Sequence, residues 1–406
     1  MPSRNWGEKM EIKNRFADSL GPSAIRAITS KINAKTAQGI KVTSFAGGMP
    51  AKEYFPLKEL QQITNDIFAE GDGQVIQYAP STGYEPLKQT LAEYMKRFQV
   101  DTDASHIQIY EGSTQALSYI ARVLFTDGGT VVVENPSYTG TLDIFRSYQA
   151  NIIDVKMDDD GLNMEALEEV LKTEPVKLIY TIPDFQNPTG RTMSVEKRRR
   201  LVELANQYNV LILEDAPYSL LSYSGQIPPA IKSFDTQDNV IYIGSVSKTI
   251  APGIRVGWSV GSKQFTQLMV YVKMIDDLQV NNLAQRQVHC YISQYDFDGH
   301  LCQVRKVYEN RRDLMLEAIR ETFPEGTKVV EPQGGMFMWL ELPEEYDTEA
   351  LFDKVFAENI AYVPGSKFYA VPGRGKNCLR MNYATANEAD ICEKVRMMGK
   401  ILSESK

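Results

Sequence analysis

Residues 107–125 read IQIYEGSTQALSYIARVLF, and this stretch decides how the sequence folds. Its first four residues, Ile107 to Tyr110, are mostly apolar and β-branched or aromatic, which is typical of a buried strand. A short loop containing glycine follows, and from Thr114 to Phe125 the apolar residues recur at the spacing of a helix. The stretch therefore predicts a strand that leads directly into a helix.

The same unit recurs along the middle of the chain. Six further strands are predicted at Thr130–Glu134, Ile152–Val155, Lys177–Ile182, Val210–Glu214, Val240–Ile243 and Ile254–Val260. Helical periodicity between strands predicts helices at Ser137–Ala150, Met164–Thr173 and Ser194–Tyr208. Strands that alternate with helices indicate an α/β fold whose large domain has a mostly parallel seven-stranded sheet sandwiched by helices.

The pattern changes beyond about residue 290. A long amphipathic helix is predicted at Val304–Thr322, a second helix near residues 348–358, and a short strand at Leu379–Tyr383. The sequence contains no tandem repeat and no Gly/Ser linker, so we expect a smaller α/β domain packed against the first, with a helix at the boundary.

Composition excludes several classes of protein. The chain has 406 residues, of which 43% are hydrophobic and 24% charged, as in ordinary globular proteins. A formal net charge of −8 argues against nucleic acid or an anionic membrane as the partner. No run of about 18 apolar residues could cross a bilayer, and the amino terminus lacks a signal-like apolar segment. We therefore expect a cytoplasmic protein that acts on small molecules.

Cysteine and histidine usage argues against a metal site. The four cysteines form no C-x-x-C pair, which favours free thiols in a reducing compartment. His300 and Cys302 have no second pair at ligand spacing, so no metal is expected. With only three histidines, catalysis by a serine–histidine pair is also poorly supported.

Polar residues cluster where the predicted strands end. Ligands of open parallel sheets bind outside the carboxyl ends of the strands, so the residues after each strand are candidates for a site. Five strand ends carry such residues, in the segments Glu111–Gln115, Asn135–Tyr138, Pro183–Gly190, Asp215–Tyr218 and Gly244–Lys248. We expect these five segments to meet at one place.

Two of these strand ends supply donors for an anion. Ser113 and Thr114 lie where a strand enters a helix, a position that attracts anions, although a plain helix cap is the simpler explanation of this pair alone. Ser245 and Ser247 add hydroxyl groups from another strand end. Together the four side chains favour a phosphate monoester.

Asp215 and Lys248 add two more functional groups. Asp215 follows the apolar run Val210–Leu213, where a carboxylate needs either a structural ion pair or a ligand with a protonated ring nitrogen. Lys248, in GSVSKTIAPGIRVGW at 244–258, is either a solvated loop residue or an amine that forms a Schiff base with an aldehyde. Phosphate, ring nitrogen and aldehyde are the functional groups of pyridoxal 5′-phosphate (PLP).

The chain resembles a known family at nine segments that run in family order from residue 78 to 384. They are YAPSTGYEPLKQTL, EGSTQALSYIARVL, ENPSYTG, PDFQNPTG, EDAPYSLLSY, GSVSKTIAPGIRVGW, PQGGMFMWLELP, VPGSKFY and CLRMNYA. The segment SFAGGMP at 44–50 extends the match. The family is the class I/II aminotransferases of PLP fold type I, and the details are most similar to the 2-aminoadipate and kynurenine aminotransferase subgroup.

The resemblance implies roles around the cofactor. Lys248 would bind PLP as a Schiff base and later move a proton, and Asp215 would pair with the ring nitrogen. Asn187 and Tyr218 would hydrogen-bond the phenolic oxygen, while Tyr138 would stack on the ring. The resemblance assigns the phosphate to Ser113, Thr114, Ser245, Ser247 and Arg255.

Substrate binding and assembly are implied in the same way. Arg380 would bind the α-carboxylate of the substrate, assisted by Asn187 and the backbone of Gly47. Tyr78 would reach the phosphate bound to a neighbouring subunit, which implies a homodimer with shared active sites. Arg26 matches a segment that lies over the substrate, and an exposed arginine on an amphipathic helix is an equal alternative.

The resemblance also implies a domain organisation. Residues 1–50 form an amino-terminal arm that contributes to the small domain and covers the substrate, residues 51–290 form the large PLP-binding domain, and residues 291–406 form the small domain.

The expected activity is ping-pong transfer of an amino group from an L-amino acid to a 2-oxo acid. Glutamate and 2-oxoglutarate are expected as one pair, and 2-aminoadipate, an aromatic or a branched-chain amino acid as the other donor. One alternative is another fold-type-I PLP enzyme, such as a β-lyase or a synthase, because these use the same lysine and aspartate. A second is the effector-binding domain of a transcription regulator, against which the acidic net charge and the start of the pattern by residue 44 argue.

Overall fold

The computed structural model describes Phe16 and residues 24–405. Within these residues the main helices are α1 (Ala24–Ala37), α2 (Leu57–Ala69), α3 (Glu85–Met95), α4 (Ser113–Phe125), α5 (Thr139–Ser147), α6 (Met164–Thr173), α7 (Val195–Tyr208), α8 (Lys263–Asp276), α9 (Asn282–Gln294), α10 (Phe297–Thr322), α11 (Phe352–Ala357) and α12 (Glu388–Ser403).

The strands are β1 (Thr43–Ser44), β2 (Ile107–Tyr110), β3 (Thr130–Asn135), β4 (Asn151–Asp158), β5 (Gly161–Leu162), β6 (Val176–Thr181), β7 (Leu211–Asp215), β8 (Val240–Ser245), β9 (Gly257–Val260), β10 (Lys328–Val329), β11 (Phe337–Glu341), β12 (Ile360–Ala361), β13 (Val363–Pro364) and β14 (Cys378–Asn382).

In the described part of the chain, the largest sheet has eight strands in the order β2-β9-β8-β7-β6-β3-β4-β5. Strands β8, β7, β6, β3 and β4 run parallel to one another, whereas β9 is antiparallel to both of its neighbours. Strand β2 therefore points the same way as the parallel set, and the carboxyl ends of six strands lie at one edge. The predicted α/β class and mostly parallel sheet are confirmed.

Seven of the eight strands match predicted strands, with one correction at β9. The sequence predicts a strand from Ile254, but Pro252–Ile254 forms a 3-10 turn and Arg255 has a φ of 58°. A left-handed residue cannot continue an extended strand, so the predicted start was wrong and β9 begins at Gly257. The eighth strand, β5, is a two-residue partner of β4 that the sequence did not indicate.

Both faces of the large sheet are covered by helices. Val131 packs in one buried cluster with Leu117 and Phe145 of α4 and α5. Its neighbour Val132 packs in another with Leu167 and Leu201 of α6 and α7. Adjacent residues of a strand point to opposite faces, so a strand buried on both sides is apolar throughout.

Local caps fix where the helices begin. The Asn163 side chain accepts a hydrogen bond from the Ala166 N–H at 2.8 Å, and α6 has the predicted bounds Met164–Thr173. Helix α10 begins at Phe297, earlier than the predicted Val304, because the Asp296 carboxylate caps it by accepting from the Gly299 N–H at 2.8 Å.

Two smaller sheets involve the carboxyl-terminal part. One has the order β10-β11-β14-β13, and the other pairs β1 in parallel with β12, so residues 43–44 are attached to residues 360–361. Helices α10 and α12 pack together through buried residues such as Met315, Ile319 and Val395. Within the described residues, no helix combines the length and apolar content that crossing a bilayer requires.

Candidate active site

A cavity of about 320 Å³ opens at the carboxyl edge of the large sheet. Residues that follow β2, β3, β6, β7 and β8 all line it, so the structure brings the five predicted segments together. The predicted residues on its wall are Ser113, Thr114, Tyr138, Asn187, Asp215, Tyr218, Ser245, Ser247, Lys248, Arg255 and Arg380.

Lys248 lies on the wall of this cavity and is partly buried. Its Nζ atom donates a hydrogen bond to the Gly48 carbonyl oxygen at 2.7 Å. Burial lowers the pKa of the amine to about 8, the charges of Arg380 and Arg255 act in the same direction, and Asp215 opposes them. Part of the amine is therefore neutral near pH 8, and its position in the cavity wall favours the Schiff-base interpretation over that of a solvated loop residue.

Asp215 ends β7 and is buried beside the cavity. Its Oδ2 atom accepts a hydrogen bond from the Tyr180 hydroxyl at 2.9 Å, whereas its Oδ1 atom has no partner among the described residues. Burial raises the pKa of the carboxyl group to about 6, with the Tyr180 hydrogen bond and the charge of Lys248 opposing this shift. A buried oxygen without a donor in a cavity wall is suited to a ligand that brings its own N–H group.

Hydroxyl groups and a guanidinium line the end of the cavity near helix α4. The Ser245 hydroxyl donates to the Ser247 oxygen at 2.9 Å, and Ser113 and Thr114 form the first turn of α4. Arg255 donates from Nη2 to the Glu111 carbonyl oxygen at 2.9 Å, which directs its guanidinium toward this turn. These groups are suited to an anion.

Gly112 is required for this arrangement. It has a φ of 81°, and a Cβ atom placed on it would lie 2.5 Å from Nη2 of Arg255. A side chain at this position would displace the guanidinium, so the glycine allows the arginine to approach the helix terminus.

Arg380 is held in place by groups from two other parts of the chain. Its Nη1 atom donates to Asn187 Oδ1 at 2.8 Å, and its Nη2 atom donates to the Ala46 carbonyl oxygen at 2.5 Å. The guanidinium carbon lies 4.2 Å from the centre of the Phe337 ring. Burial lowers the pKa of Arg380 to about 10, which leaves it charged at neutral pH. A buried, fixed cation in a cavity is suited to a carboxylate.

Asn187, Tyr138 and Tyr218 surround the middle of the cavity. Because Asn187 Oδ1 accepts from Arg380, its amide nitrogen is left as the donor available to a ligand. The Tyr218 ring meets the Phe337 ring edge-on at 5.7 Å. Burial raises the pKa of the Tyr138 and Tyr218 hydroxyls, so both are neutral donors.

Three predicted residues are not on the cavity wall. Tyr78 is 78% exposed and lies away from the cavity of its own chain. Gly47 accepts from the Asn382 side chain at 2.6 Å through its carbonyl, while its neighbours Gly48 and Met49 line the cavity. Arg26 is exposed on α1, next to Ile25, which does line the cavity.

A second layer of buried polar groups supports the loop that carries Asn187. Gln186 donates to the Glu134 carboxylate at 3.0 Å and to the Pro136 carbonyl oxygen at 2.9 Å, tying this loop to the loop after β3. Burial raises the pKa of Glu134 to about 7, against hydrogen bonds from Thr181 and Gln186. Neither Glu134 nor Gln186 was predicted, because each contacts the site only through another residue.

A second and larger cavity, of about 630 Å³, lies at the opposite edge of the sheet near the start of β7. Its walls are mainly apolar side chains of α4 and α8, including Val123, Leu268 and Met269. We place the candidate active site in the smaller cavity, because there an amine, a carboxylate, hydroxyls and two guanidinium groups face one space. Within the described residues no cluster of histidine, cysteine or acidic side chains is arranged to hold a metal ion.

Comparisons with known proteins identify a matching family model and similar proteins. A family model described as aminotransferase class I and II matches residues 45–396. The aromatic-amino-acid aminotransferase 1 of Thermococcus litoralis is 38% identical over 369 residues, which cover 89% of this chain and 88% of that protein. The 2-aminoadipate transaminase of Thermus thermophilus is 35% identical over 385 residues, covering 94% and 95% of the two chains.

A solved structure matches with similar coverage. The Pyrococcus horikoshii kynurenine aminotransferase, crystallised with PMP, superimposes with a TM-score of 0.87 at 37% identity and covers 93% of this chain and 94% of that chain. The similarity therefore includes both the large sheet and the carboxyl-terminal sheet.

Proposed function

The chain belongs to the class I and II aminotransferases, PLP enzymes of fold type I, and we propose that it exchanges amino groups between glutamate and a second amino acid. The candidates for the second donor are 2-aminoadipate, an aromatic amino acid such as kynurenine, and a branched-chain amino acid. The observation that carries this proposal is the placement of Arg380, a fixed and buried cation, in the same cavity as the amine of Lys248.

The residues present fit PLP. The unpartnered Asp215 Oδ1 atom would accept from the protonated ring nitrogen, and the Asn187 amide and Tyr218 hydroxyl would donate to the phenolic oxygen. Tyr138 would stack on the ring. The phosphate would be held by the hydroxyl groups and guanidinium near α4, from Ser113, Thr114, Ser245, Ser247 and Arg255. When bound, PLP supplies an electrophilic carbon and a ring that accepts electrons from the bonds at the substrate Cα atom.

Lys248 would act both as the attachment point and as the base. Its lowered pKa leaves a substantial neutral fraction near pH 8, and a neutral amine is both the nucleophile and the proton acceptor. Its Nζ atom would take the proton from the substrate Cα and, within the same half-reaction, deliver it to the electrophilic carbon that PLP supplies; the reverse half-reaction would move a proton in the opposite direction. Enclosure of the amine in the cavity limits competition from water.

Arg380 and Asn187 would bind the substrate α-carboxylate. The guanidinium is fixed by Asn187, the Ala46 carbonyl oxygen and the Phe337 ring, and its Nε atom has no partner among the described residues. A donor left free on a fixed, charged group is available to a carboxylate. The backbone of residues 47–48 would complete this subsite, with Gly47 as the predicted contact.

The walls beyond this subsite favour a large side chain. Ile25, Met49, Leu117 and Phe337 present apolar groups to the cavity. Arg26 follows Ile25, and its positive charge lowers the pKa of the Tyr138 hydroxyl against the effect of burial, so it lies near the cavity. We propose that apolar donors contact the walls and that Arg26 binds the distal carboxylate of 2-aminoadipate or glutamate.

We propose a homodimer in which Tyr78 reaches the phosphate site of the partner. Apolar side chains of the loop that carries Tyr78 and of α8 are unusually exposed, with Ile76 at 76% and Ile275 at 74%. The loop carrying Tyr78 lies against the segment after α8, since Asn282 donates to the Gln74 carbonyl oxygen at 2.9 Å. Exposed apolar patches of this kind are typical of subunit interfaces. Analytical ultracentrifugation of the wild-type chain and of Ile275→Asp is expected to give a dimer and a monomer, and a wild-type monomer would contradict the proposal.

We retain the predicted division into an arm (1–50), a large domain (51–290) and a small domain (291–406) as a proposal. It is supported by the pairing of β1 with β12, which links the arm to the carboxyl-terminal part. The proposed boundary at residue 290 falls within α9.

A matrix of amino donors against 2-oxo acid acceptors tests the proposed activity. Purified protein loaded with PLP is expected to convert 2-oxoglutarate to glutamate with at least one of 2-aminoadipate, kynurenine, phenylalanine or leucine. Release of ammonia without an acceptor would instead indicate a lyase. No turnover with any pair, by a chain that retains PLP, would overturn the proposal.

A further inference from the structure

Three buried side chains form a hydrogen-bonded chain that ends at Asp215. The Thr141 hydroxyl donates to the Tyr180 oxygen at 3.0 Å, and the Tyr180 hydroxyl donates to Asp215 Oδ2 at 2.9 Å. All three side chains are buried, and they come from α5, β6 and β7. The other carboxylate oxygen, Oδ1, has no partner among the described residues.

We propose that Tyr180 is a positioning residue for Asp215, and that Thr141 orients the Tyr180 hydroxyl. This inference rests on the proposed function, because it concerns how the chain prepares Asp215 for the ring nitrogen of PLP. By occupying Oδ2, the tyrosine holds the carboxylate in one orientation and directs Oδ1 to the cavity.

The direction of the hydrogen bonds supports this role. A tyrosine hydroxyl carries one hydrogen, and Thr141 donates to the Tyr180 oxygen, so the tyrosine hydrogen remains for Asp215. The Tyr180 ring is fixed by an edge-on contact with Phe145 at 5.8 Å between ring centres. A fixed donor opposite a buried carboxylate stabilises its ionised form.

The surroundings of Asp215 leave few other sources of such stabilisation. The ionisable groups whose charges act on Asp215 or respond to it come from several elements and are Glu134, Tyr138, Tyr180, Tyr218, Tyr242 and Lys248. Among them Tyr180 donates the hydrogen bond and Lys248 contributes positive charge. Glu134 opposes ionisation, because two nearby carboxylates repel each other.

The hydroxyl of Tyr180 therefore affects the pH range over which the site binds its cofactor. Tyr180→Phe removes a donor from the carboxylate, so the pKa of Asp215 rises from its value of about 6 toward neutrality. Below that pKa the carboxyl group is protonated and does not pair with a ring nitrogen that carries a proton. Loss of affinity should therefore be large at low pH and small at high pH.

The test is the dissociation constant of PLP from the apo protein, measured by fluorescence titration between pH 6 and pH 8.5. For Tyr180→Phe we expect about tenfold weaker binding than wild type at pH 6.5, the loss that one hydrogen bond to a charged group explains. The difference in PLP affinity between Tyr180→Phe and wild type should become smaller toward pH 8.5. Thr141→Val should shift binding in the same direction by a smaller factor.

Tyr110→Phe is the matched control. Tyr110 is also buried in the large sheet, and its hydroxyl lies 2.9 Å from the Ser259 hydroxyl rather than on the Asp215 carboxylate. This variant loses one buried hydrogen bond but should leave PLP binding unchanged at every pH. Thermal unfolding of each apo protein separates loss of folding from loss of binding.

Equal PLP affinities for Tyr180→Phe and Tyr110→Phe across the pH range would overturn the inference, as would a deficit that does not vary with pH. If Tyr180→Phe does not fold, the test rests on Thr141→Val. A PLP affinity of Thr141→Val equal to that of wild type would then overturn the inference. PLP binding by Asp215→Asn and by wild type distinguishes failure of this inference from failure of the proposed function. If Asp215→Asn binds PLP as wild type does, the pairing of Asp215 with the ring nitrogen is wrong and the inference fails with it, whereas wild-type protein that binds no PLP would contradict the proposed function.

Discussion

Arg380 donates a hydrogen bond to Asn187 at 2.8 Å, and this contact joins β14 of the carboxyl-terminal sheet to the loop after β6 of the large sheet. The same guanidinium donates to the Ala46 carbonyl oxygen at 2.5 Å. Three distant parts of the chain therefore meet at one buried cation. The proposed binding of a substrate carboxylate therefore depends on a side chain that also holds these three parts together.

Arg380→Lys should weaken binding of amino acid donors without releasing PLP. A lysine keeps the positive charge but has no planar guanidinium. It therefore cannot donate to both Asn187 and Ala46 and at the same time stack on the Phe337 ring. We expect KM for the donors to rise at least about tenfold, the effect of one lost charge-assisted hydrogen bond. Steady-state kinetics with saturating 2-oxoglutarate measures this. Arg396→Lys, at a partly exposed arginine that pairs with Glu321, serves as the control. An unchanged KM for Arg380→Lys would argue against its role as a carboxylate site.

Lys248→Ala should retain PLP by non-covalent contacts but lose turnover. Treatment of the wild-type holoenzyme with borohydride should fix the cofactor to the peptide that contains residue 248, as detected by mass spectrometry. The variant should give no such peptide. Lys263→Ala, at a lysine that lines the other cavity, should still be labelled at residue 248. Transamination at the wild-type rate by Lys248→Ala would refute the assignment.

The reactivity of Lys248 should rise with pH through about 8 and then level off. Its folded-state pKa is lowered from 10.5 to about 8, so about half of the amine is neutral at pH 8. Only the neutral amine attacks an aldehyde, so the rate of PLP capture by the apo protein should follow this titration. Stopped-flow absorbance measures it. A rate that continues to rise steeply beyond pH 10 would show that burial does not lower this pKa.

The sequence predicted most of the large sheet because its strands are apolar throughout and its helices have regular periodicity. What it missed depends on distant partners. Strand β1 is two residues long and exists only through its pairing with β12, and β5 exists only through its pairing with β4. The left-handed φ of 58° at Arg255 is also not signalled by its residue type, since arginine rarely adopts it.

The site could be predicted where residues directly follow strands, as with Asp215 and Lys248. Tyr180 lies inside β6, where an aromatic residue is read as core. Its role becomes visible only from the register that pairs Tyr180 with Leu213 and so brings its hydroxyl near Asp215. The contact of Lys248 with Gly48 likewise joins residues 200 positions apart, which no local pattern indicates.

Arg198→Met should strongly destabilise the fold. Arg198 is 0% exposed and Asp184 is 2% exposed, and they form an ion pair behind the loop that carries Asn187. Removal of the arginine leaves a buried carboxylate whose other partner is the Ser219 hydroxyl at 2.5 Å. We expect a loss of about 3–5 kcal/mol in the free energy of unfolding, measured by urea titration.

Arg200→Met is the matched control on the same helix. Arg200 pairs with Glu168 at 2.9 Å, and its side chain is 40% exposed. Its loss should change the free energy of unfolding by about 1 kcal/mol or less. If the two substitutions lowered the free energy of unfolding equally, the buried Arg198–Asp184 pair would not be a special source of stability.

Arg26→Ala tests how the site selects its donor. If Arg26 binds a distal carboxylate, kcat/KM for 2-aminoadipate and glutamate should fall about tenfold, while kcat/KM for kynurenine or phenylalanine stays within about twofold. Lys31→Ala is the control, because Lys31 lies on the same helix and pairs with Asp353 at 2.9 Å. An equal fall in kcat/KM for acidic and aromatic donors would contradict this role of Arg26. In that case α1 would cover the cavity without selecting the donor.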